Sequence, residues 1–183
     1  KACAPINLYG VTKACMERLL VQSNVYARKQ TKFSCVRYGN VLGSRGSVVP
    51  VFKEQAKTGT ITITDPSMTR FWITLEQGVQ FVLNCLSMMR GGEIFVPRIP
   101  SMRITALAEA VAPGTKYQVT GIRPGEKLHE VLLTEDEARH AREFEDYFVI
   151  QPEFPFWTTD TYWDLTGSPL PEGYRYSSDN NDR

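Results

Sequence analysis

Residues 7–40, NLYGVTKACMERLLVQSNVYARKQTKFSCVRYGN, run from a helical pattern into a short apolar strand that ends at Gly39-Asn40. Leu8, Val11, Cys15 and Leu19 recur at helical spacing, and no proline follows Pro5, so the pattern predicts a long helix from Asn7 to about Lys29. Phe33–Tyr38 then reads as a buried strand feeding a functional loop. A helix that hands over directly to an apolar strand is the unit from which parallel sheets are built.

The pattern continues downstream. Gly43, Gly46 and Ser47 lead into a predicted helix at Val48–Lys57, whose first turn would offer free amides. Strands are predicted at Ile61–Ile63, Arg70–Ile73, Glu93–Val96, Tyr117–Ile122 and Tyr147–Ile150. Thr74 reads as the N-cap of a helix to about Met88, and further helices are predicted at Thr105–Val111, Glu126–Leu133 and Glu135–Arg142. Beyond Gln151 the density of proline and aromatic residues, Pro155 and Trp157 among them, predicts an extended tail. The fold class is therefore α/β with a partly parallel sheet. No G-x-G-x-x-G follows a strand, so the usual pyrophosphate-binding turn of a dinucleotide fold is not in this sequence.

Composition narrows the function. The 183 residues are 42% hydrophobic and 22% charged, with a net charge of +1 spread along the chain. No polybasic face argues for nucleic acid or a membrane surface. The four cysteines lack paired spacing, and the expectation is buried free thiols in a reducing cytoplasm. No apolar run reaches the roughly 18 residues of a membrane-spanning helix. His129 and His140 lack metal-ligand spacing, so no metal is expected.

Tyr9 and Lys13 stand at i and i+4, one turn apart on one helix face. A cation beside a phenol favours the phenolate, so the pair would make a base able to take a hydroxyl proton. The plainer alternative is a solvated Tyr and Lys. Asn40 either bonds a phosphate or sugar oxygen or simply serves a turn. Arg70 and Arg123 are a phosphate clamp or two surface ion pairs. Glu126 is a hydroxyl acceptor or a first-turn helix residue.

The neighbours of the pair carry a resemblance. Lys1-Ala-Cys-Ala-Pro-Ile-Asn-Leu-Tyr-Gly-Val-Thr-Lys13, Arg37-Tyr-Gly-Asn-Val-Leu-Gly-Ser-Arg-Gly-Ser-Val-Val-Pro50, Met68-Thr-Arg-Phe-Trp-Ile73, Gly92-Glu-Ile-Phe-Val-Pro97 and Arg123-Pro-Gly-Glu-Lys-Leu-His-Glu130 together resemble the extended short-chain dehydrogenases acting on sugar nucleotides. More narrowly, they look like the inverting UDP-N-acetylglucosamine 4,6-dehydratases that begin pseudaminic acid synthesis. The resemblance implies the C-terminal part of such an enzyme, divided as a Rossmann-like remnant at 1–46, a small substrate-binding region at 47–150 and a tail at 151–183. Tyr9 would take the proton of the sugar 4-hydroxyl during oxidation by NADP, with NAD as the alternative cofactor. Lys13 would hold the nicotinamide ribose, and Lys1 would remove the C5 proton. An acid just before Lys1 in the family lies off the start of the chain. Val41, Leu42, Gly43, Ser44 and Arg45 would lie against nicotinamide. Asn40 would bond a phosphate or sugar oxygen, the Ser47, Val48 and Val49 amides with Arg70 and Arg123 would hold the diphosphate, Thr64 the uracil or ribose, and Glu126 the ribose hydroxyls. The implied partners are UDP-N-acetylglucosamine and further copies of the full-length protein. A 4-epimerase or retaining dehydratase is the alternative enzyme, and a non-catalytic binding or assembly module the alternative of another class.

Overall fold

The computed structural model describes residues 1–27, 31–152 and 162–183. In chain order, α1 (Leu8–Gln22) and a 3-10 turn (Ser23–Val25) precede β1 (Cys35–Val36), β2 (Asn40–Val41), α2 (Val48–Ala56), β3 (Thr60–Ile63), β4 (Thr69–Ile73) and α3 (Leu75–Met88). There follow β5 (Ile94–Pro97), β6 (Ser101–Arg103), α4 (Ile104–Val111), β7 (Lys116–Val119), β8 (Val131–Leu133), α5 (Glu135–Ala138), β9 (Ala141–Glu143), β10 (Tyr147–Ile150), α6 (Tyr162–Thr166), β11 (Ser168–Pro169) and β12 (Tyr176–Ser177). The expected α/β class holds, with parallel pairing at β1–β5, β2–β4 and β3–β7. Among the described residues no helix is long and apolar enough to cross a membrane.

The chain forms two compact units. The first comprises residues 1–38, 79–98 and 131–176. Its sheet has the order β1-β5-β10-β9-β11, parallel at β1–β5 and antiparallel from β5 to β11. Phe95, Val149, Cys85 and Trp163 are buried together, with Phe81, Phe144 and Tyr147 packed against them. Glu93 is buried among them because its carboxylate accepts from Ser34 Oγ, the Arg90 and Gly91 amides and Trp163 Nε1. A buried charge persists when its oxygens are filled in this way.

The second unit comprises residues 39–78, 99–130 and 177–183. Here β2-β4-β6 form one sheet and β3-β7 another. Phe52 of α2, Ile61 and Ile63 of β3, Trp72 of β4 and Ile104 and Leu107 of α4 make the core. Gly39 allows β2 to approach β4, since a Cβ there would lie 2.5 Å from the Phe71 Cβ.

Several expectations are corrected. The first helix stops at Gln22 and not near Lys29, which lies outside the described residues. Ser23 Oγ donates to the Leu19 carbonyl, and the Asn24 amide bonds the Val21 and Phe33 carbonyls and accepts the Phe33 amide, turning the chain back. No helix forms over Glu126–Leu133, because the Lys127 and Leu128 carbonyls accept from Arg70 instead of from helical amides, and Val131–Leu133 is a strand. The helix expected at Glu135–Arg142 ends at Ala138, as Ala141–Glu143 is recruited by β10. Of the four thiols Cys3 and Cys85 are buried and Cys35 half-buried, whereas Cys15 is exposed. Burial pushes the Cys35 thiol up to about 11, helped by Glu17, and the Cys85 thiol up to about 12. Pro155 and Trp157 of the expected tail lie outside the described residues.

Candidate functional site

In the first unit the chemistry gathers at the start of α1. Asn7 caps the helix, its Oδ1 accepting from the Gly10 amide at 2.8 Å. Tyr9 follows in the first turn and Lys13 one turn later, with the Lys13 Nζ 5.4 Å from the centre of the Tyr9 ring. The ammonium therefore sits over the phenol. Tyr9 is 60% exposed, and its hydroxyl has no protein partner among the described residues, so it is open to a ligand. Lys1 is brought to the same end of the helix, because Gly10 lacks a side chain. A Cβ at Gly10 would lie 2.9 Å from the Pro5 Cβ and 3.0 Å from the Lys1 carbonyl oxygen. Ala4 at φ 43° makes the bend between them, a conformation costing an alanine about 1 kcal/mol.

A buried charge network anchors the other end of α1. Arg37 donates from Nε to Glu17 Oε2 at 2.7 Å and from Nη2 to Glu17 Oε1 at 2.6 Å, a two-bond fork. It also donates to both oxygens of Glu137, at 2.9 and 2.6 Å, and to the Leu132 carbonyl. Burial opposes the arginine's charge, but the bonds from Glu17 and Glu137 outweigh it and raise its pKa. Glu137 is likewise opposed by burial and yet held below the usual carboxylate range by Arg37.

The second unit carries a cleft of 530 Å³. It is lined by seven of the eight residues expected to bind substrate, Asn40, Ser47, Val48, Thr64, Arg70, Arg123 and Glu126, and not by Val49. Val41, Ser44 and Arg45 of the loop expected to meet nicotinamide line it too, whereas Leu42 and Gly43 do not. Asn40 opens β2 opposite Trp72 of β4 and does not close the preceding strand as the sequence suggested. Bonds from the Ser44 amide to the Val41 carbonyl and from the Ser47 amide to the Ser44 carbonyl fold the loop onto the N-terminus of α2. Since Pro50 has no N–H, the first turn offers the Val48 and Val49 amides.

The three arginines of the cleft are not equivalent. Arg70 donates to the Thr69, Leu128 and Lys127 carbonyls and lies 3.6 Å from Glu130 and 3.9 Å from Glu126. Its fork is largely consumed, and burial draws its pKa down against the pull of the two glutamates. Arg45 and Arg123 are exposed, and their guanidinium groups have no ion-pair partner among the described residues. Glu126 accepts from the Arg123 amide, and its own amide donates back to the Arg123 carbonyl. Sequence reasoning missed Trp72, which lay inside a predicted strand, and the Glu17–Arg37–Glu137 network, whose members are 20 and 100 positions apart.

Comparison with known proteins places this geometry. Residues 1–152 match the family described as polysaccharide biosynthesis protein. The UDP-N-acetylglucosamine 4,6-dehydratase (inverting) of Campylobacter jejuni is 49% identical over 189 residues, covering 99% of this chain and 57% of that protein. A UDP-glucose 4-epimerase of Rickettsia canadensis is 40% identical over 82% of this chain and 46% of its own length. Among solved structures, the X-ray structure of Pen from Bacillus thuringiensis superposes with a TM-score of 0.83 at 36% identity, over 99% of this chain and 54% of that one. The chain thus spans about half the length of these proteins.

Proposed function

Because the chain belongs to the polysaccharide biosynthesis protein family, we propose that it supplies the sugar-nucleotide cleft and the proton-transfer groups of an inverting UDP-N-acetylglucosamine 4,6-dehydratase. The observation that carries this reading is a cleft that gathers Asn40, Ser47, Thr64 and Glu126 beside Arg45 and Arg123, which have no ion-pair partner among the described residues. A diphosphate fits such a wall, with planar donors for its oxygens and a helix N-terminus for its charge.

Tyr9 accepts the proton of the sugar 4-hydroxyl, since its phenol is held at the helix start with no competing partner among the described residues. Lys13 keeps positive charge over that ring and stabilises it as it becomes negative. Lys1, carried to the same helix end by the contact with Gly10, removes the C5 proton once the neighbouring 4-position is oxidised, and the 6-hydroxyl leaves as water with a proton from the acid that the family places just before Lys1. A nicotinamide cofactor, NADP in this proposal and NAD as the alternative, supplies hydride uptake and return when bound. In the first unit the exposed Tyr9–Lys13 pair is what fits it. The four free cysteines favour a reducing cytoplasm. The exposed apolar residues of α1, Leu8 and Leu19 among them, favour assembly with further copies.

The 40% identity to a UDP-glucose 4-epimerase supports a second reading, epimerisation at C4. One incubation separates them. The chain joined to a dinucleotide-binding segment on the order of 100 to 150 residues, given UDP-N-acetylglucosamine and NADP, is expected to yield a 4-keto-6-deoxy sugar inverted at C5, read by proton NMR. The C4 epimer as product establishes the second reading, and cofactor binding with an unchanged sugar overturns both.

A further inference from the structure

Trp72 is 3% exposed, lines the cleft, and its indole Nε1–H has no partner among the described residues. Indole nitrogen is a donor only, and a buried donor left unpaired is costly, so such groups are almost always satisfied by protein, water or ligand. A second orphan lines the same cleft. Ser47 Oγ is buried without a partner and makes no cap bond to its own helix, although serine at that position usually does. Val48 and Val49, the next two residues, pack against the cluster that contains Trp72.

The strand register brings these donors together with the known wall of the cleft. Trp72 and Arg70 stand two apart on β4 and share a face, and Asn40 lies opposite Trp72 on β2. Arg70 brings charge to this spot but few free N–H groups, having given them to the Thr69, Leu128 and Lys127 carbonyls. Beside Arg70 the unfilled donors are neutral ones, the two orphans, and they add to the guanidinium groups of Arg45 and Arg123 in the same cleft.

We propose that Trp72 is a binding residue whose Nε1–H, together with Ser47 Oγ, donates to a diphosphate oxygen of the bound nucleotide. This rests on the reading of the cleft as a sugar-nucleotide site. In the full-length protein with 15N-labelled tryptophan, the Trp72 indole signal is identified by its loss in Trp72→Phe, which keeps a ring in the core. UDP and UDP-N-acetylglucosamine are expected to move that signal downfield, and uridine to leave it in place. Trp72→Phe is expected to raise Kd for UDP about tenfold, the effect of one charge-assisted bond. If the variant misfolds, the signal is assigned on the unaltered protein through its NOEs to the methyl groups of the cluster that holds Trp72, Ile61 and Ile104 among them, so the shift is still read. A stationary signal during UDP binding would mean that the indole serves a buried water only, and the proposal falls. A shift with uridine as large as with UDP overturns the diphosphate assignment. If the unaltered protein binds neither UDP nor UDP-N-acetylglucosamine, the reading of the cleft fails as well, which sets that failure apart.

Discussion

Tyr9 differs from phenylalanine by one oxygen, and in this site that oxygen is the proton acceptor. Replacing it leaves the ring under Lys13 and the cleft residues untouched. Tyr9→Phe in the full-length protein is therefore expected to bind UDP-N-acetylglucosamine within about twofold of the parent while kcat falls about 10²–10⁴-fold. Calorimetric titration beside a turnover assay checks both halves, and an equal loss of affinity would contradict the role. The Tyr9–Lys13 spacing was readable from the sequence, since a separation of four in a helix sets one turn without help from the rest of the chain. Trp72 was not readable in this way. A tryptophan in an apolar strand looks like core, and the structure shows that it is core on one side and cleft wall on the other.

At the scale of elements, local signals succeeded where they were satisfied locally. Thr74 before α3 is the clearest case, with Thr74 Oγ1 accepting from the Gln77 amide at 3.1 Å and Gln77 Oε1 accepting from the Thr74 amide at 3.0 Å. This reciprocal pair fills two donors that the helix leaves open. Thr74→Ala is expected to cost about 1 kcal/mol and Thr74→Ser much less, measured by chemical denaturation. The segment at 126–133 failed as a predicted helix for the opposite reason. Its pattern is helical, but Arg70 takes its carbonyls, and Ser178 Oγ accepts the Glu130 amide. Partners 48 to 58 positions away are invisible to a periodicity.

For the molecule as a whole, the first unit is tied together by the buried guanidinium of Arg37. Arg37 joins Glu17 of α1 to Glu137 of α5, so the helix bearing Tyr9 is anchored to the body of that unit. Removing the arginine strands two buried carboxylates, and Arg37→Met is expected to cost about 3–5 kcal/mol at neutral pH. The sign of its pH dependence follows from Glu137. Its folded pKa is lowered by Arg37, so its contribution is present above the usual carboxylate range and is lost as pH falls through the folded value. The stability of the parent against denaturation should accordingly weaken as pH falls below the ordinary carboxylate value of 4.5. The deficit of Arg37→Met should shrink there, as the stranded Glu137 takes up a proton, and a deficit that does not change with pH would show that the network contributes packing and not charge. The sequence alone determined the α/β class, most helix and strand positions and the Tyr9–Lys13 pair, because these are set by spacing along the backbone. Only the tertiary structure decided which polar groups are already used and which are left for a ligand: Arg70 consumed, Arg45 and Arg123 without an ion-pair partner among the described residues, Trp72 and Ser47 unpaired. Hydrogen-bond saturation depends on residues that meet only after the chain has folded.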